Sequence, residues 1–289
     1  MNTQQFASAR ELVLEQTDHD LAIKGWDQDA IELAVDGDAD EVTATSQDDV
    51  MVVEARAPLA IRVPRGATVT VGQVSGDMLL RDLDGVIHVA AVHGDTSVRS
   101  GHATVHFNEV HGDLGIEALN GPLSVGQTHG DVHLSQMGAV SLGQVYGDVS
   151  ARGVAGELKM GAVSGNVRAR DVAGSLTLES GQGDFNGKAL LGGMNVHAVN
   201  GGLSLKTSLT PGLTYSGQAN GDIVARFPEG TSARLSLEAK GQISAKGLDA
   251  EAQEGGQIVA QVGGGEAEVA LHAGGDLSVK VQGEDSGET

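Results

Sequence analysis

A glycine followed by Asp or Asn recurs at Gly76, Gly94, Gly112, Gly130, Gly147, Gly165 and Gly183, in steps of 18, 18, 18, 17, 18 and 18 residues. A period held that closely confines the chain to a repeat architecture, in which each unit buries its apolar face only against its neighbours. Midway between the pairs stands a second set of small residues, from Ala67 and Gly85 to Gly174 and Gly192, so each unit of 18 divides into two of nine. The nine-residue pattern is G-x-φ-x-φ-x-x-φ-x, with φ apolar.

Fifteen such units run from residue 67 to residue 200, and 40 of their 45 φ sites are Ala, Val, Ile, Leu, Met or Phe. The exceptions are Thr96, Gly101, Thr128, Gly181 and Gly187. Position four, between two φ residues, is apolar only at Leu79. Alternation of this kind marks a strand with one buried and one wet face. The fold expected is therefore all-β: a single-chain β-solenoid (β-helix) with 18-residue coils made of two nine-residue units and capped at both ends, because a bare terminal coil is an open strand edge. The expected division is an N-terminal β cap over 1–65, repeats over 66–248 (regular to about 200, looser after), a C-terminal β cap over 249–281 and an acidic disordered tail over 282–289.

Composition narrows the function. The chain of 289 residues has 43 Gly but only 5 Pro, and 40% apolar residues, enough to fold; aromatics are 2%. A net charge of -21, from 39 acidic and 18 basic residues, argues against nucleic acid as a partner. The absence of cysteine removes disulfides, thiolate catalysis and Cys-ligated metals. No apolar run reaches the roughly 18 residues of a membrane helix, and no signal peptide is read at the N-terminus, so direct membrane insertion is not expected and a cytoplasmic location is.

Stacking converts a repeated letter into a ladder. His93, His111 and His129 are expected one above another on a corner, beside a column of Asp77, Asp95, Asp113, Asp131, Asp148, Asn166 and Asp184. Imidazole and carboxylate in adjacent columns have the chemistry to hold a divalent cation. The favoured account of the Asp column is turn chemistry, in which Asp and Asn bond nearby backbone N–H groups. His88 and His106, one coil apart at position four, read as solvated strand-face residues. The calcium β-roll pattern, with glycine at position four and aspartate at six, is not matched. Coils that differ by one residue at most leave no insertion to wall off a cleft, and no phosphate loop, metalloprotease helix or nucleophile elbow is found. The expectation is a non-enzyme with no catalytic, cofactor-binding or metal-site residues and no cofactor.

The order of parts, LAIRVPRGATVTV, then Gly-Asp repeats, then VGGGEAEVALHAGGDLSV, resembles the bacterial toastrack family of adhesin-type β-repeats over nearly the whole chain. The resemblance implies a β-helical module linked to cell-envelope stress systems, with association at the envelope and membrane-associated proteins as partners. It implies no catalytic residues. The function expected is a non-catalytic scaffold or binding module, adhesin-like; the alternative is a self-assembling structural protein, forming homo-oligomers or filaments, for which the polymerising bactofilins are the nearest comparison.

Overall fold

The computed structural model describes residues 2–7, 10–35, 42–47, 49–248, 250–253 and 256–282, so the expected acidic tail lies outside the described residues from 283 onward. The described residues contain strands and no helix, and the fold is an all-β solenoid. The chain divides into two compact units, residues 1–147 and 148–289.

In the first unit, strands alternate between two sheets, the first containing β9 (Met78–Leu83), β11 (Thr96–Gly101), β13 (Leu114–Leu119) and β15 (Val132–Met137). The second contains β8 (Thr68–Val74), β10 (Val86–Val92), β12 (Thr104–Val110), β14 (Leu123–Thr128) and β16 (Val140–Val145). Partners within a sheet are parallel and mostly 18 residues apart, as in His88↔His106 and Val98↔Ile116. In that register apolar side chains stack into dry columns. Val89, Phe107, Val125 and Leu142 form one, each at most 3% exposed. Burying a side chain of this size contributes about 1.5–3 kcal/mol, so the columns are the main source of cohesion.

The x-x pair in the repeat has a structural cause in the first sheet. Asp82, Ser100, Ala118 and Gln136 each have φ between 55° and 57°, a left-handed conformation that in three of the four units swings the third apolar side chain, Leu83, Leu119 or Met137, back inside. None of the four is glycine. The second sheet crosses the same gap without such a residue.

The N-terminal residues supply two further coils in exchanged order. Strands β2 (Glu11–Thr17) and β3 (Leu21–Trp26) lie directly against β8 and β9, whereas β6 (Val50–Ala55) and β7 (Leu59–Pro64), which immediately precede β8 in sequence, lie outside them. The link from Pro64 to Thr68 steps over the intervening coil, with Arg65 N donating to Trp26 O (3.2 Å) and Thr68 N to Arg10 O (2.9 Å). Antiparallel strands close the outer edges: β4 (Ala30–Val35) and β1 (Asn2–Ala7) on one sheet, β5 (Val42–Gln47) on the other.

The second unit follows the same plan. One sheet orders β17 (Val149–Val154), β19 (Val167–Val172), β21 (Phe185–Leu190), β23 (Leu203–Lys206), β25 (Ile223–Pro228), β31 (Leu277–Gln282) and β27 (Ile243–Lys246). The other begins with β18 (Leu158–Val163), β20 (Leu176–Gly181) and β22 (Met194–Val199). It continues through β24 (Thr214–Ala219), β30 (Ala267–Ala273), β26 (Ala233–Ala239), β29 (Gln257–Val262) and β28 (Ala250–Gln253). Here too the last coil of the chain, β30 with β31, is inserted between two earlier ones, and antiparallel β29 and β28 finish the edge.

Candidate functional site

The Gly-Asp corner is a staple between coils. Asp77, Asp95 and Asp113 each accept, through Oδ1, a hydrogen bond from the backbone N–H of the Asp 18 residues on, at 2.8 Å. In the second unit Asp148 bonds Asn166 N (2.7 Å), Asn166 bonds Asp184 N (3.0 Å) and Asp184 bonds Gly202 N (2.8 Å). This corrects the expected local turn bond: in a parallel stack the free corner N–H points along the axis, so the carboxylate reaches the next coil. It also explains the glycine. A Cβ at Gly94, Gly112 or Gly130 would overlap both the preceding coil's carboxylate oxygen and its glycine carbonyl.

The histidines of the second column are stacked. Ring centroids of His93 and His111, and of His111 and His129, lie 4.7 Å apart, and Tyr146 continues the column at 4.9 Å. Gln73 Nε2 meets His93 Nδ1 at 3.4 Å, and Glu109 Oε1 lies 3.3 Å from His111 Nε2 and 3.2 Å from His129 Nε2. The three candidate ligand atoms of Glu109, His111 and His129 fall within 4.8 Å of one another. With metal–ligand bonds of about 2.0–2.1 Å, a tetrahedral ion separates its ligand atoms by about 3.3 Å, so two of the three edges already have that length. His88 and His106 stack separately, at 5.0 Å, on the outward face of the second sheet.

The outward face of the first unit's first sheet carries a groove of about 550 Å³. Ala22, Ala60, Ser97 and Gly115 form its floor, Leu79 projects into it, and Asp20, Asp77, Asp95 and Asp113 line one wall. The outward leucine that broke the polar rule at position four is thus part of a concave surface.

In the second unit the corresponding face carries a feature the sequence reading passed over. Arg152 pairs in register with Arg170, Arg170 with Lys188, Lys188 with Lys206, Lys206 with Arg226, Arg226 with Lys280, and Lys280 with Lys246. Seven exposed cations thus occupy seven adjacent strands at one register position. Neighbours about 4.8 Å apart repel by roughly 0.9 kcal/mol even in water, so the column works against stability. Asp171 meets Arg170 at 3.3 Å and Arg152 at 3.8 Å; from Lys188 onward none of the column has an ion pair among the described residues. The signal was legible: each of the seven stands five residues after a glycine. The loosened period beyond residue 200 and the exchanged coil order hid it.

No protein-family model matches the chain, and no curated protein matches it. Solved structures do match, three of them as follows. A putative cell adhesion protein of Clostridium sporogenes is 11% identical, covering 97% of this chain and 99% of its own, with a TM-score of 0.20. A putative adhesin of Bacteroides fragilis is 10% identical over 97% and 96%, with a TM-score of 0.27, and one of Parabacteroides distasonis is 10% identical over 96% of both chains, with a TM-score of 0.30. At such scores the fold stands on the chain's own strands and registers.

Proposed function

We propose that the chain is a non-catalytic β-solenoid that acts as an adhesin-like binding or scaffolding module, with the envelope-associated partners and stress-related role that its family resemblance implies. The supporting observation is the set of outward columns in which one kind of side chain is presented on successive rungs, above all the seven cations from Arg152 to Lys246. A repeated side chain on a rigid sheet is suited to a repetitive or extended partner, not to one small substrate. Crosslinked affinity capture from the native host, mapped on the chain, tests this. Crosslinks on the outward columns support it, whereas crosslinks at strand edges to other copies, with species that grow with concentration in light scattering, favour the self-assembling alternative.

A second reading, a divalent-cation module, is favoured by the Glu109–His111–His129 geometry. It predicts that Zn²⁺ raises the melting temperature of the full chain and that Glu109→Gln or His129→Ala abolishes the rise. Equal rises in both variants and in the unaltered chain would remove it.

A further inference from the structure

We propose that the outward face around the Arg152–Lys246 column binds a linear acidic polysaccharide, with carboxylate or sulfate groups seated along the cations. The inference rests on the binding-module reading and names its ligand class.

Residues 148–289 contain eleven Lys and Arg, and seven of them stand in this one column. Six rung steps give it a length of about 29 Å, with one positive charge about every 4.8 Å. Five of the seven are free of ion pairs among the described residues, so an arriving anion has no internal partner to displace. The parallel column two residues earlier holds Ser150, Asn186, Ser204, Ser278 and Ser244, all exposed or half-buried, with only Arg168 and Val224 interrupting. Hydroxyls and amides beside cations match a ligand whose own hydroxyls alternate with its charges.

Two observations favour a glycan over other polyanions. The aromatic residues of these strands, Phe185 and Phe227, are buried at 1% exposure, so the face offers no platform on which bases stack. Asp184, Asp222 and Asp276 are exposed four residues before Lys188, Arg226 and Lys280, about 13 Å along each strand. That acidic border leaves room for a single-file chain but repels a broad anionic surface such as a bilayer.

The test uses the full chain and four probes: polygalacturonate, neutral dextran, an oligothymidylate and vesicles of anionic phospholipid, with affinity read by calorimetry. Polygalacturonate is expected to bind and dextran not, with a loss of about tenfold or more between low and high salt. Lys206→Gln, Arg226→Gln and Lys280→Gln together should weaken binding at least about tenfold without lowering the melting temperature, because like-charge repulsion is relieved. The charge-matched control Lys159→Gln, Arg234→Gln and Lys240→Gln, off the column, should keep binding. If the triple variant does not fold, Lys188→Gln with Lys206→Gln gives the same readout. No binding of polygalacturonate, an equal loss in the control, or tighter binding of the oligonucleotide or vesicles overturns the inference. Those results leave the binding-module reading standing, since its crosslink map is read independently; crosslinks confined to strand edges would instead sink that reading, and the inference with it.

Discussion

At the scale of the residue, the five departures from the apolar pattern are separate physical cases. Thr128 is fully buried between Val110 and Val145, and its hydroxyl has no hydrogen-bond partner among the described residues. Thr128→Val keeps the shape and removes the unpaired hydroxyl, so it should raise the unfolding free energy by about 1 kcal/mol, read from urea midpoints; a loss of stability would mean that the hydroxyl has a partner. Gly181 and Gly187 look alike in sequence and differ in space. A Cβ on Gly181 would meet Leu178 and Val199 at 3.5 and 3.6 Å, ordinary contact, whereas on Gly187 it would meet the Phe185 ring and Leu190 at 2.9 Å. Gly181→Ala should therefore stabilise by about 1 kcal/mol and Gly187→Ala destabilise by about as much. Equal effects would contradict the packing described. The sequence could mark these positions as exceptions but not separate them, because the room left by a glycine depends on where the neighbouring coil places its side chains.

At the scale of the element, the corner staple and the terminal strands decide how coils are joined. Asp113→Ala removes the acceptor for Asp131 N and should cost about 1.5–3 kcal/mol, while Asp113→Asn should cost much less, since Asn166 fills the same role in its own coil. Equal losses would show that charge, not hydrogen bonding, holds the corner. Alternation and the Gly-Asp period revealed strands and columns; the direction of the staple was not legible, because turn residues bond locally in most contexts and only the parallel stack turns them along the axis. In β26, Glu238 accepts from Gln257 at 3.2 Å and lies 3.3 Å from His272, and these two contacts, Gln257 first, hold its carboxyl below the usual range. A lowered folded value means the contribution is present above the unfolded carboxyl pKa and is lost as pH falls through the folded one. The stability difference between the unaltered chain and Glu238→Gln should accordingly shrink in acid; a difference that grows on acidification would contradict this.

At the scale of the whole molecule, a net charge of -21 is an average that conceals a local exception. Net charge governs long-range behaviour, but a column of cations at rung spacing sets its own field within a Debye length. The architecture was readable from the sequence because a nine-residue apolar rhythm has few other solutions. The exchanged order of the terminal coils was not, since strands one coil apart are neighbours throughout the regular repeats and here β7 and β9, or β25 and β27, are not. The central claim is that side chains one coil apart in sequence stand side by side in space. The chain has no native cysteine, so spin labels can be placed at will. Nitroxides at Lys188→Cys and Lys206→Cys, partners in adjacent strands, should show strong spin–spin broadening, whereas labels at Lys188→Cys and Lys159→Cys, on different sheets, should give narrow, uncoupled lines. Uncoupled spectra from the first pair would contradict the account.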